Sequence, residues 1–488
     1  MLPGALLSSL SSVLDARMGL HFPRERWRDL ERGVAAAARE FGFGDPETCV
    51  RSLLCGPLTR NQIEILAGHL TVGETYFFRE TRSFEILEER VLPELIRARG
   101  GADRRLRIWS AGCCTGEEPY SIALLLDRLV PDIEEWNITL LATDINPAFL
   151  RKAAEGAYGE WSFRGTPAWL RERYFRKRKG GRFEIEPRIR KRVAFSYLNL
   201  AADAYPSLSN NSNAMDVIFC RNVLMYFTQA QAKKVAGNLH ASLVEGGWLV
   251  VSPTETSSVL FSRFSAVEFP GAVLYRKAAG AEQRVIASGY PAPAPLLLPE
   301  PQYPPNPVVQ EAAPSMAPEE APPQPVRPAA APGDALSLTA RALSLTARAL
   351  SLTARALSLR ARACANLGKL AEAVEWCEKA IAADKLDPAC HYLLAAIQQE
   401  LGQHDSAVQS LSCALYLDAD FVLAHFALGN LRLSQGRRRE AERHFDNTLA
   451  LLRARPHDEV LPEADGLTAG RLAEITASVL ASQPRAAA

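Results

Sequence analysis

Long hydrophobic runs are missing from this 488-residue chain: no apolar stretch approaches the roughly 20 residues needed to span a bilayer. Charge of one sign is missing too. Lys+Arg 56 against Asp+Glu 55 leaves a formal net charge of +1, which gives no global attraction to nucleic acid or a membrane surface. Any electrostatic message has to be local. Cysteine is present but unpatterned: nine residues, none in a CxxC pair and none beside a histidine cluster with metal-ligand spacing. That excludes a recognisable metal centre and argues for buried, reduced thiols in a cytosolic protein over disulfides. Met1 to Leu14 carries no basic region ahead of its modest apolar content, so it makes a poor secretory signal. These absences together predict a soluble, cytoplasmic protein with no membrane insertion, no nucleic-acid partner and no metal.

What is there divides the chain. At this length one core is not enough and two or three domains are expected. Residues 291–332 carry fifteen of the 32 prolines, mixed with Ala, Glu and Gln, a composition that predicts a disordered, semi-stiff Pro/Ala-rich linker. Ahead of it, residues 1–70 read as helical, with apolar residues at three- and four-residue spacing over Arg26 to Phe41 and Asn61 to Leu70. From 105 to 277 short β-rich runs alternate with helices: Leu106 to Trp109, Ile138 to Thr143, Val217 to Phe219, Trp248 to Ser252 and Ala272 to Tyr275. The alternation predicts a doubly wound α/β sheet with ligands at the carboxyl ends of its strands. Residues 156–195 interrupt the rhythm, and the runs Phe183 to Ile185 and Val193 to Phe195 around Gly180-Gly181 suggest a small β insertion.

After the linker a 34-residue period holds at Gly368, Gly402 and Gly436, at Ala373, Ala407 and Ala441, at Ala380 with Ala414 and at Asp384 with Asp418. That is tetratricopeptide spacing, in which small residues let paired helices approach and a glycine makes the turn between them. Residues 335–355 are three copies of Ala-Leu-Ser-Leu-Thr-Ala-Arg, with a near copy at 356–362, placing leucines on one helical stripe. Two readings stand: a tandem duplication extending the first repeat helix, or a dedicated coiled coil.

The first strand runs into Ser110-Ala111-Gly112-Cys113-Cys114-Thr115-Gly116-Glu117-Glu118 and then a helix. A glycine-bearing turn such as that at Gly112 lets a ligand approach backbone amides. The acidic pair Glu117-Glu118 would repel a pyrophosphate but suits a cationic sulfonium cofactor. Asp144 ends the next strand, where an acidic residue can hold both ribose hydroxyls; its alternative reading is a helix N-cap.

Four motifs now meet in one order: Leu70 to Glu80 (Leu-Thr-Val-Gly-Glu-Thr-Tyr-Phe-Phe-Arg-Glu), the loop Ser110 to Ser121, Ala142-Thr143-Asp144-Ile145-Asn146, and Phe219-Cys220-Arg221-Asn222-Val223-Leu224-Met225-Tyr226-Phe227. Over roughly residues 10–277 the chain resembles the CheR methyltransferases, which modify chemoreceptors. The resemblance implies a Rossmann-like methyltransferase domain, S-adenosyl-L-methionine as cofactor, and methyl transfer to glutamate side-chain carboxylates of chemoreceptor helical bundles. It further implies that Thr75, Arg79, Glu118, Asp144, Asn199, Leu200, Arg221 and Asn222 contact the cofactor, and that Arg79 and Tyr226 border the transferred methyl. The bland alternatives are an Arg79–Glu118 ion pair and an ordinary core position for Tyr226. No Asn/Asp-Pro-Pro-Tyr/Phe run, as used by amino-group methyltransferases, follows the strand ending at Cys220, which favours oxygen as acceptor.

Two departures stand out. The family tends to carry Asn at Gly73, so one cofactor-side hydrogen bond is expected to be absent and binding weaker, by ~0.5–1.5 kcal/mol. Ser252-Pro253-Thr254-Glu255 replaces a Gly/Ser-His-Ser-Glu-like turn, with no consequence readable from sequence. Residues 171–193 hold eleven Lys/Arg against three Asp/Glu, and Arg24, Arg26, Arg28 and Arg32 add a second basic group. These are either solvated surface or a docking face for an acidic substrate. Family members that tether to a receptor tail use a longer loop than Arg176 to Arg182, so no such tether is expected here and the repeats are expected to supply a protein contact instead. The domains read as 1–75 (helical), 76–278 (methyltransferase, with 156–195 as the β insertion), 279–334 (linker), 335–455 (repeats) and 456–488 (tail). The competing function is a cofactor-sensing scaffold acting through its repeats.

Overall fold

The computed structural model describes residues 2–100, 104–203, 205–208, 210–278, 286–287, 353–457, 459–464 and 467–481. The proline-rich stretch and most of the three identical heptads lie outside the described residues.

Four helices open the chain: α1 (Gly4–Met18), α2 (Trp27–Glu40), α3 (Pro46–Leu54) and α4 (Arg60–Leu70). In α2, Leu30, Val34, Ala37 and Ala38 are buried, the stripe that a 3.6-residue period brings to one face. Thr59 and Gln62 close a capping box at the start of α4. Helices α5 (Thr81–Ile86) and α6 (Leu92–Arg99) lead to the sheet.

The sheet is built from β1 (Arg105–Ala111), α7 (Glu117–Leu129), β2 (Asn137–Asp144) and α8 (Pro147–Glu155). An excursion follows: β3 (Ala157–Tyr158), α9 (Ala168–Tyr174), β4 (Phe175–Lys177), β5 (Phe183–Ile185) and α10 (Pro187–Arg190). The chain returns through β6 (Val193–Tyr197), β7 (Met215–Phe219), α11 (Gln229–Ser242), β8 (Leu243–Val250), β9 (Ser265–Phe269), β10 (Ala272–Arg276) and β11 (Ile286–Ala287). The strand order is β11-β9-β10-β8-β7-β1-β2-β6. β8, β7, β1, β2 and β6 run parallel, while β9 and β10 form an antiparallel edge. β1 and β7 are buried along their whole length, as parallel strands covered on both faces must be.

One expectation needs correction. Val193 to Phe195 does not belong to the insertion; it pairs in parallel with β2, Leu140 opposite Val193, as the outer strand of the main sheet. The insertion is the three-stranded sheet β3-β5-β4 alone. A short apolar run identifies a strand but not its partner.

The C-terminal helices are α12 (353–366), α13 (Leu370–Ala383), α14 (Pro388–Glu400), α15 (His404–Leu417), α16 (Val422–Ser434), α17 (Arg438–Arg453) and α18 (Ala469–Ala481). The 34-residue period maps onto this geometry. Gly368, Gly402 and Gly436 adopt left-handed φ of 76°, 72° and 74° in the turns within successive pairs. Ala373, Ala407 and Ala441 are buried where paired helices touch. The near copy at 356–362 falls inside α12. Among the described residues no helix is long and apolar enough to cross a membrane. Five cysteines are buried, but Cys55 and Cys413 are exposed, so burial of the thiols is not general.

Candidate active site

The carboxyl ends of β1, β2, β6 and β7 open into a cleft of about 520 Å³, within the range of small-molecule sites. All ten residues singled out from the sequence line it: Thr75, Arg79, Gly112, Glu118, Asp144, Asn199, Leu200, Arg221, Asn222 and Tyr226. The N-terminal helices supply a further wall through Met18, Leu20 and Leu70. That wall is fixed by hydrogen bonds from His21 N to Tyr226 O (2.9 Å) and from Asn199 Nδ2 to Arg17 O (2.8 Å). Asn146 adds bonds to Ala67 O (3.2 Å) and Thr71 Oγ1 (2.9 Å).

After β1 the chain turns through Gly112 at φ 83°, where a Cβ would lie 2.4 Å from Val223 Cγ2. The turn directs the Cys114 amide to Asp144 Oδ2 (2.9 Å), while Asp144 Oδ1 accepts from Asn146 N (2.8 Å). Asp144 is therefore not the N-cap of α8; Asn146 is, accepting from the amides of Ala148 and Phe149. Burial raises the Asp144 carboxyl to about 6, against the pull of those amides. Burial likewise pushes the Cys114 thiol up to about 12, leaving it neutral at pH 7.

Arg221, with 1% of its side chain exposed, lies between two carboxylates, Glu80 at 2.8 Å and Glu118 at 3.2 Å, and donates to Arg79 O. Glu118 also accepts from Ser110 Oγ (2.8 Å). Its acidity is weakened chiefly by burial, which Arg221 opposes. The Arg79–Glu118 pair expected as an alternative does not form: Arg221 takes Glu118, and Arg79 Nη1 donates to Glu74 O instead. The acidic pair also divides. Glu117 accepts from Thr115 Oγ1 and Ser162 Oγ, away from the cleft, and only Glu118 faces it.

Two contributors escaped sequence reasoning. Glu255 is buried and accepts from four amides: Asn222 (2.6 Å), Val223 (2.8 Å), Met225 (3.1 Å) and Ser252 (3.3 Å). It thereby fixes the loop that carries Arg221, Asn222 and Tyr226. Ser252 and Glu255 form a capping box, and the Ser-x-x-Glu spacing was the available signal. Phe149 is the second. A Cβ on Gly73 would lie 2.8 Å from its Cζ, so the Phe149 ring fills the space where a side chain at 73 would enter. The missing side chain is replaced by packing. Gly73→Asn is expected to cost ~1–3 kcal/mol by overpacking, with Phe149→Leu restoring most of it, read by thermal unfolding of the two single and the double variants.

The basic run is largely neutralised. Arg171 pairs with Glu160, Arg176 with Glu186, Arg178 with Glu184, Arg182 with Glu155, Arg188 with Asp127 and Arg192 with Glu134. Four of these acids lie outside the run, which its composition could not show. Near the N-terminus, Arg26 and Arg32 both meet Asp29.

An open, mostly parallel sheet with a cleft at the carboxyl ends of its strands is the α/β architecture in which ligands bind at that edge. Residues 73–271 match the family described as "CheR methyltransferase, SAM binding domain", and residues 354–385 and 424–459 match tetratricopeptide repeats. The chain is 37% identical over 221 residues to "Chemotaxis protein methyltransferase 1" of Pseudomonas aeruginosa, covering 44% of this chain and 77% of that protein. "Chemotaxis protein methyltransferase 2" of Vibrio cholerae is 37% identical over 216 residues, 44% of this chain and 73% of that protein. The "Probable biofilm formation methyltransferase WspC" of Pseudomonas aeruginosa is 27% identical over 421 residues, 85% of this chain and 92% of that protein. The chain belongs to the CheR family of chemotaxis protein methyltransferases. It is an S-adenosylmethionine-dependent methyltransferase with C-terminal tetratricopeptide repeats.

The cleft suits that cofactor: Glu74, Glu80, Glu118 and Asp144 line it against two guanidiniums, Arg79 and Arg221, an acidic balance that favours a sulfonium over a phosphate. Asp144 ties binding to pH. Its folded-state value of about 6 lies above the ordinary 3.8, so ionisation costs the fold above about pH 6, and that cost is relieved as pH falls. Cofactor affinity is expected to run the other way, because the ionised form is the better acceptor for hydroxyls. Calorimetric titration is expected to show affinity falling as pH drops below about 6, with the inflection lost in Asp144→Asn.

Proposed function

We propose that the methyl acceptors are glutamate side-chain carboxylates on chemoreceptor helical bundles, and that this chain serves adaptation in a chemosensory pathway of the bacterial cytoplasm. The observation that carries this reading is the placement of Arg79 and Tyr226 on the wall of the acidic cleft. When bound, the cofactor supplies an electrophilic methyl group. The protein's task is then modest. A glutamate titrates near 4.3 and is already ionised at neutral pH, so no general base is needed. Arg79 receives the incoming carboxylate and holds it in line without quenching its nucleophilicity. Tyr226, whose hydroxyl burial pushes above its ordinary range, shapes the methyl slot. Water exclusion and alignment do the remainder.

Thr75, Arg79, Gly112, Glu118, Asp144, Asn199, Leu200, Arg221 and Asn222 are assigned to the cofactor in this reading. The domains follow as a helical domain (1–75), a methyltransferase domain (76–278), a linker (279–334), repeats (335–455) and a tail (456–488). The repeats engage a protein partner, in place of a receptor-tail tether at the insertion. Incubation with methyl-labelled cofactor and receptor-bearing membranes tests the reading. Base-labile label on the receptor, lost with Arg79→Ala, supports it; base-stable label would point to a nitrogen acceptor and overturn it.

A further inference from the structure

Arg107 is out of place by the usual rules: an arginine near the amino end of a wholly buried strand, 2% exposed. A desolvated guanidinium is costly unless it is paired and hydrogen-bonded. Part of its compensation is local. Arg107 Nε donates to Asn213 O (3.2 Å) and Nη2 to Asn211 O (2.9 Å) and Asn211 Oδ1 (2.6 Å). The Asp216 carboxylate accepts from the Arg107 backbone amide (2.8 Å), while the guanidinium has a carboxylate from the repeats within reach, Glu400 at the end of α14, 4.0 Å from Nη1.

Glu400 is itself buried and makes further contacts with the catalytic sheet. Its Oε1 accepts from Asn213 Nδ2 (2.8 Å), and its backbone carbonyl accepts from Asn137 Nδ2 (2.9 Å). Around this polar centre the contact is close and apolar. A Cβ on Gly368 would lie 3.0 Å from Val244 Cγ1 and 3.4 Å from Ala214, and one on Gly402 3.4 Å from Asn137 Nδ2. Leu208 packs against the cluster formed by Leu370, Leu393 and Ile397. The residues of the main sheet's domain in contact, Arg107, Asn137, Asn213, Ala214 and Val244, stand at or near the amino ends of β1, β2, β7 and β8. The cofactor cleft opens at the carboxyl ends of the same sheet.

We propose that the amino-end edge of the catalytic sheet is a docking surface for the repeats of the same chain, locked by Glu400 against Arg107. The repeats are held at the opposite end of the sheet from the cofactor cleft, instead of trailing free beyond the proline-rich stretch. A protein bound by the repeats is then presented at a fixed distance from the cleft and leaves its mouth open to the methyl acceptor. Two inter-helix turns, at Gly368 and Gly402, provide the surface that fits. The buried acid supplies specificity, because a repeat lacking it would leave Arg107 without that counter-charge.

The test uses the full chain with a protease site placed within residues 291–332, cleaved after purification and run on gel filtration at physiological salt. The two pieces of the wild-type protein are expected to co-elute at the size of the uncleaved chain. Glu400→Arg, which sets a third guanidinium beside Arg105 and Arg107, is expected to weaken their association by ~100-fold or more and separate them. Leu208→Asp should do the same from the catalytic side. Cofactor titration of the uncleaved variants checks that the cleft is intact. Separation of the wild-type pieces on cleavage, or co-elution of both variants, would overturn the proposal.

Discussion

Arg221→Ala is expected to abolish measurable cofactor binding and to destabilise the catalytic domain by ~3–5 kcal/mol, the cost of leaving buried charge uncompensated. Arg221 is the only residue that touches both Glu80 and Glu118 in the described contacts, and its side chain is 1% exposed. Its removal strands two carboxylates that face each other across the space it vacates. Glu118 is already pushed up by burial, and without the guanidinium it is driven further towards its neutral form. The net charge of the cleft is unchanged by that paired loss, but the ionised Glu118 carboxylate on its wall is gone. Arg221 also donates to Arg79 O, so the segment carrying Arg79 loses an anchor as well. Arg221→Lys should restore little, because an ammonium cannot span both carboxylates with a planar fork. Thermal unfolding reads the first effect and calorimetric titration the second.

Glu255→Gln is expected to lower kcat/KM by ~100-fold while costing ~2–4 kcal/mol, since hydrogen bonds to a charged acceptor contribute about 1.5–3 kcal/mol each and several change at once. The substitution swaps one carboxylate oxygen for an amide nitrogen that must face backbone N–H groups. The four amides now served by Glu255 belong to Ser252 and to the loop from Asn222 to Met225. Asn222 sits at a left-handed φ of 57°, a conformation that persists only where its surroundings enforce it. Release of the loop should move Tyr226 and Asn222 together, so both kcat and KM are expected to change. A Glu255 that served only stability would lower the unfolding temperature and leave the kinetic constants alone.

The sequence made most of the catalytic sheet and the repeat register legible, and for physical reasons. Buried parallel strands read as continuous apolar runs, and the repeats as a fixed 34-residue step of small residues. The glycine turn after β1 and the acid ending β2 are local features, which is why Gly112 and Asp144 could be named. What failed to show was non-local. Val193 to Phe195 reads as a strand, but its pairing with β2 depends on where the chain returns after the insertion. The basic run left both a solvated surface and a docking face open because Asp127, Glu134, Glu155 and Glu160 lie outside it. Glu118 could not be assigned to Arg221 over Arg79 without knowing how the ends of β1 and β7 meet. Arg107 was read only as part of a strand, and its partner Glu400 lies in the second half of the chain.

The central claim is that one cleft, at the carboxyl ends of β1, β2, β6 and β7, is where the cofactor binds. Calorimetric titration of the full chain with S-adenosylmethionine tests it most directly, using wild type, Asp144→Ala and Tyr226→Phe. The account predicts one site per chain, lost in Asp144→Ala and kept in Tyr226→Phe. Binding of undiminished affinity in Asp144→Ala would contradict it.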